Sequence, residues 1–201
     1  MSHQKNYYRR HLPHYQPAGA TFHVVFRLVG TIPRATVGKL LRETQQSAEP
    51  CLADALEHQR HRFVQLEAIL DAGENGPRWL ARPEIAKIVH DAIRHRDGNV
   101  YHLSASCVMP NHVHMLLSPQ QVEDESLLTL AAVLKSLKGY TAWRCNKALG
   151  RHGRFWQEES FDRVVRDVRE FDRTVGYIAS NPVKAGLVSD ALDWPWTYVA
   201  I

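Results

Sequence analysis

The chain has 201 residues, 44% hydrophobic and 23% charged, with a formal net charge of +4. This supports one compact domain with a real core, excludes a globally disordered chain, and permits a nucleic-acid partner without requiring one, because the placement of charge matters more than its sum. No apolar run approaches the ~20 residues of a membrane span. The polar start "MSHQKNYYRRHLPHY" lacks an apolar signal stretch, and Cys51, Cys107 and Cys145 show no Cys-x-x-Cys spacing, so a cytoplasmic protein with reduced thiols is expected.

Residues 1–20 read as a basic, aromatic arm, with Lys5, Arg9 and Arg10 interleaved with Tyr7, Tyr8 and Tyr15. Such an arm suits either a frayed terminus or phosphate contact with base stacking. Residues 21–201 read as a single domain. "TFHVVFRLVG" (21–30), β-branched and aromatic, predicts a strand ending at Gly30. From about 34 to 97 the pattern turns helical. "ATVGKLLRETQQ", "CLADALEHQRHRFVQLEAILDAG" and "RPEIAKIVHDAIRHRDG" predict three helices, with a break near "GENGPRW".

"VYHLSASCVMP" (100–110) and "HVHMLLSP" (112–119) predict a hairpin turning at Pro110-Asn111. "DESLLTLAAVLKSLKGYTAWRCNKALG" predicts a long amphipathic helix, acidic at its start. A loop, "RHGRFWQEE", leads to a short strand, "SFDRVVRD". The helix "VREFDRTVGYIASNP" is expected to stop at Asn181-Pro182, and "DWPWTYV" closes the chain. Helices interrupting a mostly antiparallel sheet define an α+β, ferredoxin-like sandwich. The helices are expected on one face, with residues 34–97 a helical insertion after the first strand. The sequence leaves the insertion's role open between capping the sheet, DNA contact and assembly.

Two features carry chemistry. His112 and His114 are two apart on a strand, so both imidazoles stand on one face; Val113 and Leu116 are expected on the other. Paired imidazoles form a two-point metal site, although a lone His-x-His reads more readily as two histidines on a solvent-facing strand surface. His102 on the neighbouring strand is a possible companion. His23, His58, His61, His90 and His95 read as surface or core residues rather than ligands. The second feature is "TVGYIASNPVKAGLV", where Tyr177 and Asn181 share a helix face. Alone, it reads equally as a packed tyrosine and an ordinary helix stop.

In this order, "VMPNHVHMLL", "GRFWQEESFDRVVRD", "YIASNPVKAGLV" and "DWPWTYV" resemble the REP-associated tyrosine transposases, single-tyrosine members of the His-hydrophobic-His nucleases. The segments span roughly residues 100–200, and the strand at 21–29 also fits. The resemblance implies that His112, His114 and Asn181 hold Mg²⁺ or Mn²⁺ and that Tyr177 is the nucleophile. It implies an enzyme that cuts and rejoins single-stranded or hairpin DNA, such as REP-like palindromes, through a 5′-phosphotyrosine, as a monomer or homodimer. Tyr140 is the rival nucleophile, but Arg144 stands where a polar metal ligand would be needed.

Arg151, Arg154, Arg163, Arg166 and Lys184 are candidate phosphate contacts, each also readable as a solvated charge. Trp156 and Phe155 are candidates for base stacking or for the core. Two other readings stand beside the transesterase: a non-catalytic nucleic-acid-binding protein on the same fold, and a metal-dependent hydrolase with a structural Tyr177.

Overall fold

The computed structural model describes residues 7–9, 13–15, 17, 19–33, 36, 52–72, 75–120 and 129–200. The chain opens with β1 (Tyr7–Arg9) and β2 (Pro13–Tyr15), which pair antiparallel as a small ribbon. Lys5, Arg10, Cys51 and the expected helix at 35–46, Thr36 apart, lie outside the described residues. Next come β3 (Thr21–Arg27), α1 (Leu52–Ala72), a 3₁₀ turn at Trp79–Ala81, and α2 (Pro83–Arg94). These are followed by β4 (Tyr101–Val108), β5 (His112–Pro119) and α3 (Leu130–Ala148). β6 (Phe161–Val165), α4 (Val168–Lys184) and β7 (Thr197–Val199) complete the chain.

Five strands form one sheet in the order β6-β3-β5-β4-β7, every neighbouring pair antiparallel. The histidine strand β5 is therefore central, with β3 and β4 as its neighbours. The α+β class and the antiparallel sheet agree with the sequence pattern, but the placement of the helices does not. They cover both faces of the sheet.

On one face, Phe22, Val24 and Phe26 of β3 and Val113, Met115 and Leu117 of β5 pack with Ile85, Val89 and Ile93 of α2 and Val133 and Leu137 of α3. On the other, Val25 packs with Phe63, Leu66 and Leu70 of α1, and Leu116 and Cys107 pack with Ile178 of α4. A strand buried on both sides loses the apolar-in, polar-out alternation, which is why β5 reads as nearly continuous hydrophobicity around its histidines. Leu116 shares the histidine face, as strict period-two alternation requires.

Three further expectations are corrected. Helix α3 starts later than the acidic run suggested: Thr129 caps it by accepting a hydrogen bond from the Ala132 N–H at 3.2 Å. Helix α4 does not stop at Asn181 but continues through Pro182 to Lys184. A proline this near the end forfeits one ladder bond, and the Ala185 N–H still reaches the Asn181 carbonyl at 2.9 Å. Trp156 and Phe155 belong to the core. The Trp156 indole N–H donates to Thr141 Oγ1 at 2.9 Å and its ring meets Phe26 edge-on, which leaves no open face for a base.

Candidate active site and metal centre

The hairpin between β4 and β5 is pinned by its own turn. The Met109 N–H bonds to the His112 carbonyl, the Leu28 N–H to the Asn111 carbonyl, and the Leu80 N–H to the Pro110 carbonyl, at 2.9–3.1 Å. The Asn111 side chain adds a further tie: its Nδ2 donates to the Leu70 carbonyl of α1 at 3.1 Å. That bond fixes the amide's orientation and turns Oδ1 toward His112 Nδ1, at hydrogen-bond distance. An oxygen can only accept, so His112 carries its proton on Nδ1 and a lone pair on Nε2.

His112 Nε2 lies 2.8 Å from His114 Nε2. On the far side of His114, Nδ1 faces His23 Nε2 at 3.3 Å and Glu67 Oε1 at 3.4 Å. Asp71 Oδ1 lies 3.4 Å from His112 Nε2. Among the described residues, two sets of potential ligand atoms converge to within 4.8 Å, His23–Glu67–His114 and Asp71–His112–His114. His23 thus lies inside the cluster, contrary to the reading of it as an ordinary surface or core residue. His102 turns to solvent, near Gln120.

The carboxylates come from α1. Phe63, Leu66, Glu67 and Leu70 form one buried stripe, and Asp71 lies one turn beyond Glu67 on the same side. Within the segment whose role the sequence left open, α1 therefore covers the histidine face and puts two acids on it. A signal was present in "FVQLEAILDAG": acids at i and i+4 interrupt a stripe that packing alone would fill with apolar side chains.

Burial governs the electrostatics. It lowers His112 and His114 to about 4, so both rings are neutral near pH 7. Burial pushes the Glu67 carboxyl up to about 8. Asp71 is also pushed up by partial burial, but its close neighbours His112, His114 and Tyr177 outweigh this and hold it below the usual carboxylate range.

Helix α4 supplies the phenol. Asp167 caps it by accepting from the Glu170 N–H at 2.8 Å, and Glu170 reaches back to the Arg166 N–H at 3.0 Å, a reciprocal cap. Ile178 anchors the helix on the sheet, and one residue earlier Tyr177 faces the cluster. The Tyr177 ring centroid is 5.8 Å from that of His114 in the same chain, and its hydroxyl donates to Asp71 Oδ2 at 3.3 Å. Burial and the carboxylates of Glu67 and Asp71 raise the phenol well above its ordinary value. Asn181, one turn on, is 1% exposed, and neither of its amide atoms has a hydrogen-bond partner. Tyr140 lies on α3, which packs on the opposite face of the sheet; its hydroxyl accepts from Arg144 Nη1 at 3.0 Å.

The candidate phosphate contacts divide. Lys184 Nζ lies 4.2 Å from the Tyr177 ring centroid. Arg163 and Arg166 both pair with Glu170. Arg151 lies over Trp79 and bonds Asn146, and Arg154 pairs with Glu158 at 3.9 Å. Arg9 sits in β1.

The fold and site define an α+β protein whose central antiparallel strand presents a His-hydrophobic-His pair to a helix-borne tyrosine. The family model described as "Transposase IS200 like" matches residues 79–181, just over half of the chain, and the chain belongs to that family. It is 26% identical over 98 residues to a putative REP-associated tyrosine transposase of Haemophilus influenzae, covering 46% of this chain and 56% of the relative. It is 23% identical over 108 residues to the REP-associated tyrosine transposase of Escherichia coli, covering 54% and 60%. The matches thus span little more than half the length of these relatives. A solved structure of a REP-associated tyrosine transposase bound to a REP hairpin aligns with a TM-score of 0.49 at 19% identity, covering 94% of this chain and 80% of that one. Among the described residues, no helix is long and apolar enough to cross a membrane.

Proposed function

We propose that this chain is a metal-dependent endonuclease and transesterase that cuts and rejoins single-stranded or hairpin DNA through a 5′-phosphotyrosine. The observation that carries the reading is the approach of the Tyr177 phenol to the His112–His114 face within one chain. Membership of the IS200-like transposase family and the REP-associated relatives support it, and REP-like palindromes are the corresponding substrate class.

His112, His114 and Asn181 would hold the metal. The donor chemistry fits a hard divalent ion: two neutral imidazoles, a buried amide with unpartnered atoms, and a buried carboxylate oxygen of Asp71 with no hydrogen-bond partner. The chemistry that Mg²⁺ or Mn²⁺ would supply there is polarisation of a phosphodiester oxygen and neutralisation of charge developing at phosphorus. Tyr177 Oη attacks that phosphorus in line. The bond from phosphorus to the 3′-oxygen breaks, the 3′-oxygen leaves as a hydroxyl after taking a proton, and the 5′-phosphate stays on the tyrosine.

The phenol is protonated before attack, and its hydrogen bond to Asp71 Oδ2 gives the proton an acceptor already in contact. In rejoining, a second strand's 3′-hydroxyl attacks the phosphotyrosine and restores the phenol; one phosphoester replaces another, so no ATP is needed. A cleft lined by Glu67, Asp71, Arg163, Arg173 and Tyr177 opens between α1 and α4. An unpaired strand can enter it with the scissile phosphate exposed.

The test is a labelled hairpin oligonucleotide incubated with the protein and Mn²⁺, then run on a denaturing gel. A covalent adduct that disappears in Tyr177→Phe is expected. Cleavage that survives Tyr177→Phe would make this a hydrolase with a structural tyrosine. A mobility shift under native conditions only would make it a binding protein.

A further inference from the structure

We propose that Asp71, carried in by α1, is a further protein ligand of the cation in addition to His112, His114 and Asn181, binding through Oδ1 beside His112 Nε2 and His114 Nε2. The inference rests on the metal-site reading above and deepens it. Helix α1 ends at Ala72, ahead of the span that the family model matches, so this ligand comes from outside the matched segment.

The argument begins with lone pairs. Asn111 holds the His112 proton on Nδ1, so His112 Nε2 is an acceptor. Asp71 Oδ1 is also an acceptor; it is buried and has no hydrogen-bond partner. His114 offers a ring nitrogen within 4.8 Å of both, and its Nε2 lies 2.8 Å from His112 Nε2. A proton on that nitrogen can serve one of the two acceptors and leaves the other unsatisfied. A cation serves all three at once.

The spacings agree. Cis ligands of an octahedral ion with bonds of about 2.1 Å stand about 3.0 Å apart. The pairs His112 Nε2–His114 Nε2 and His112 Nε2–Asp71 Oδ1, at 2.8 and 3.4 Å, bracket that distance. Glu67 and His23 lie on the Nδ1 side of His114 and act as partners that orient its ring, as a carboxylate commonly does behind a metal-bound histidine. The other oxygen of Asp71 receives the Tyr177 hydroxyl. One carboxylate therefore joins the ion to the nucleophile and sets their separation.

The test is calorimetric titration of Mn²⁺ into the full chain, without DNA, with Mn²⁺ electron paramagnetic resonance as a second readout of bound ion. Wild type, Asp71→Asn, His112→Ala, Asp71→His and the exposed control Asp91→Asn are compared, each checked for its fold by circular dichroism. Asp71→Asn is expected to weaken Mn²⁺ binding about 10-fold or more, with Asp91→Asn unchanged. Asp71→His should tighten Zn²⁺ about 10-fold or more relative to wild type, because three imidazoles suit zinc better than manganese. That gain reads directly whether position 71 lies within bonding reach of the ion.

Wild-type affinity retained in Asp71→Asn but lost in His112→Ala would overturn the role of Asp71 and leave the histidine site standing. Mn²⁺ binding indifferent to His112→Ala would overturn both. Should Asp71→Asn not fold, the Asp71→His titration decides: no gain in Zn²⁺ affinity overturns the proposal.

Discussion

The Tyr177 hydroxyl donates to Asp71 Oδ2 at 3.3 Å, a contact between residues 106 positions apart. It joins the helix bearing the proposed nucleophile to α1, the helix that follows β3, across the top of the histidine strand. The contact is long for a hydrogen bond and only partly buried.

Tyr177→Phe should therefore cost little stability, within about 1 kcal/mol, because only a long, partly buried hydrogen bond is lost. The covalent adduct should vanish entirely. Thermal melts set beside the denaturing-gel assay separate the two effects. A variant that unfolds instead would show the phenol to be structural.

The sequence made strands β3 to β6, the hairpin, the paired histidines and the Tyr177–Asn181 helix legible, because each rests on a local period. The sidedness of the helices was not legible. Nothing local distinguishes a helix destined for one face of the sheet from one destined for the other, and β5, buried on both sides, offered no polar face to separate them. Glu67 and Asp71 were missed for a related reason. Their spacing is visible in the sequence, but its meaning depends on α1 crossing the sheet above residues some forty positions further on. Trp156 was left open between base stacking and the core because Arg and aromatic residues surround it in sequence. In space, its ring belongs to Phe26 and its N–H to Thr141.

Asn111 is a positioning residue by the same geometry. It is 3% exposed, and its amide ties the α1 backbone at Leu70 to the His112 ring. Asn111→Ala leaves the Leu70 carbonyl and His112 Nδ1 without these partners, so a loss of about 1–3 kcal/mol is expected. It also frees the His112 tautomer, and Mn²⁺ affinity should fall about 10- to 100-fold. Denaturant melts and metal titration measure the two. Unchanged metal affinity in a folded variant would show that the ring is oriented by other means.

The metal-free protein should be most stable near pH 6.5. The unfolded chain protonates its histidines near 6.5, whereas burial lowers folded His112 and His114 to about 4. Between those values the unfolded state binds more protons, and stability rises with pH. His23, also lowered by burial, acts in the same direction. Glu67 opposes them. Burial raises it to about 8, so from its ordinary 4.5 upward the folded state holds a proton that the unfolded chain has released. Two histidines outweigh one glutamate below 6.5. Above 6.5 Glu67 acts alone, and stability should fall toward pH 8 by about 1.4 kcal/mol per pH unit. Glu67→Gln should remove that decline and leave the lower limb intact. Melts across pH 5–8 in the presence of a chelator check the sign.

Among the basic residues around the cleft, Lys184 and Arg163 should behave differently. Lys184 is exposed, lies over the Tyr177 ring and is free to meet a phosphate. Lys184→Ala should weaken DNA binding across sequences and reduce the slope of log affinity against log salt by about 1, with the melting point unchanged. Arg163 is committed to Glu170 and Thr174 and lies over Phe63. Removing it leaves a buried carboxylate with Arg166 as its remaining cationic partner. Arg163→Ala should therefore cost roughly 2–3 kcal/mol of stability, less than for an isolated buried pair, and leave the salt slope near wild type. Filter binding at several salt concentrations, run beside melts of both variants, tests the contrast. The reverse pattern would move the DNA path from the Lys184 side of the tyrosine to the Arg163 wall.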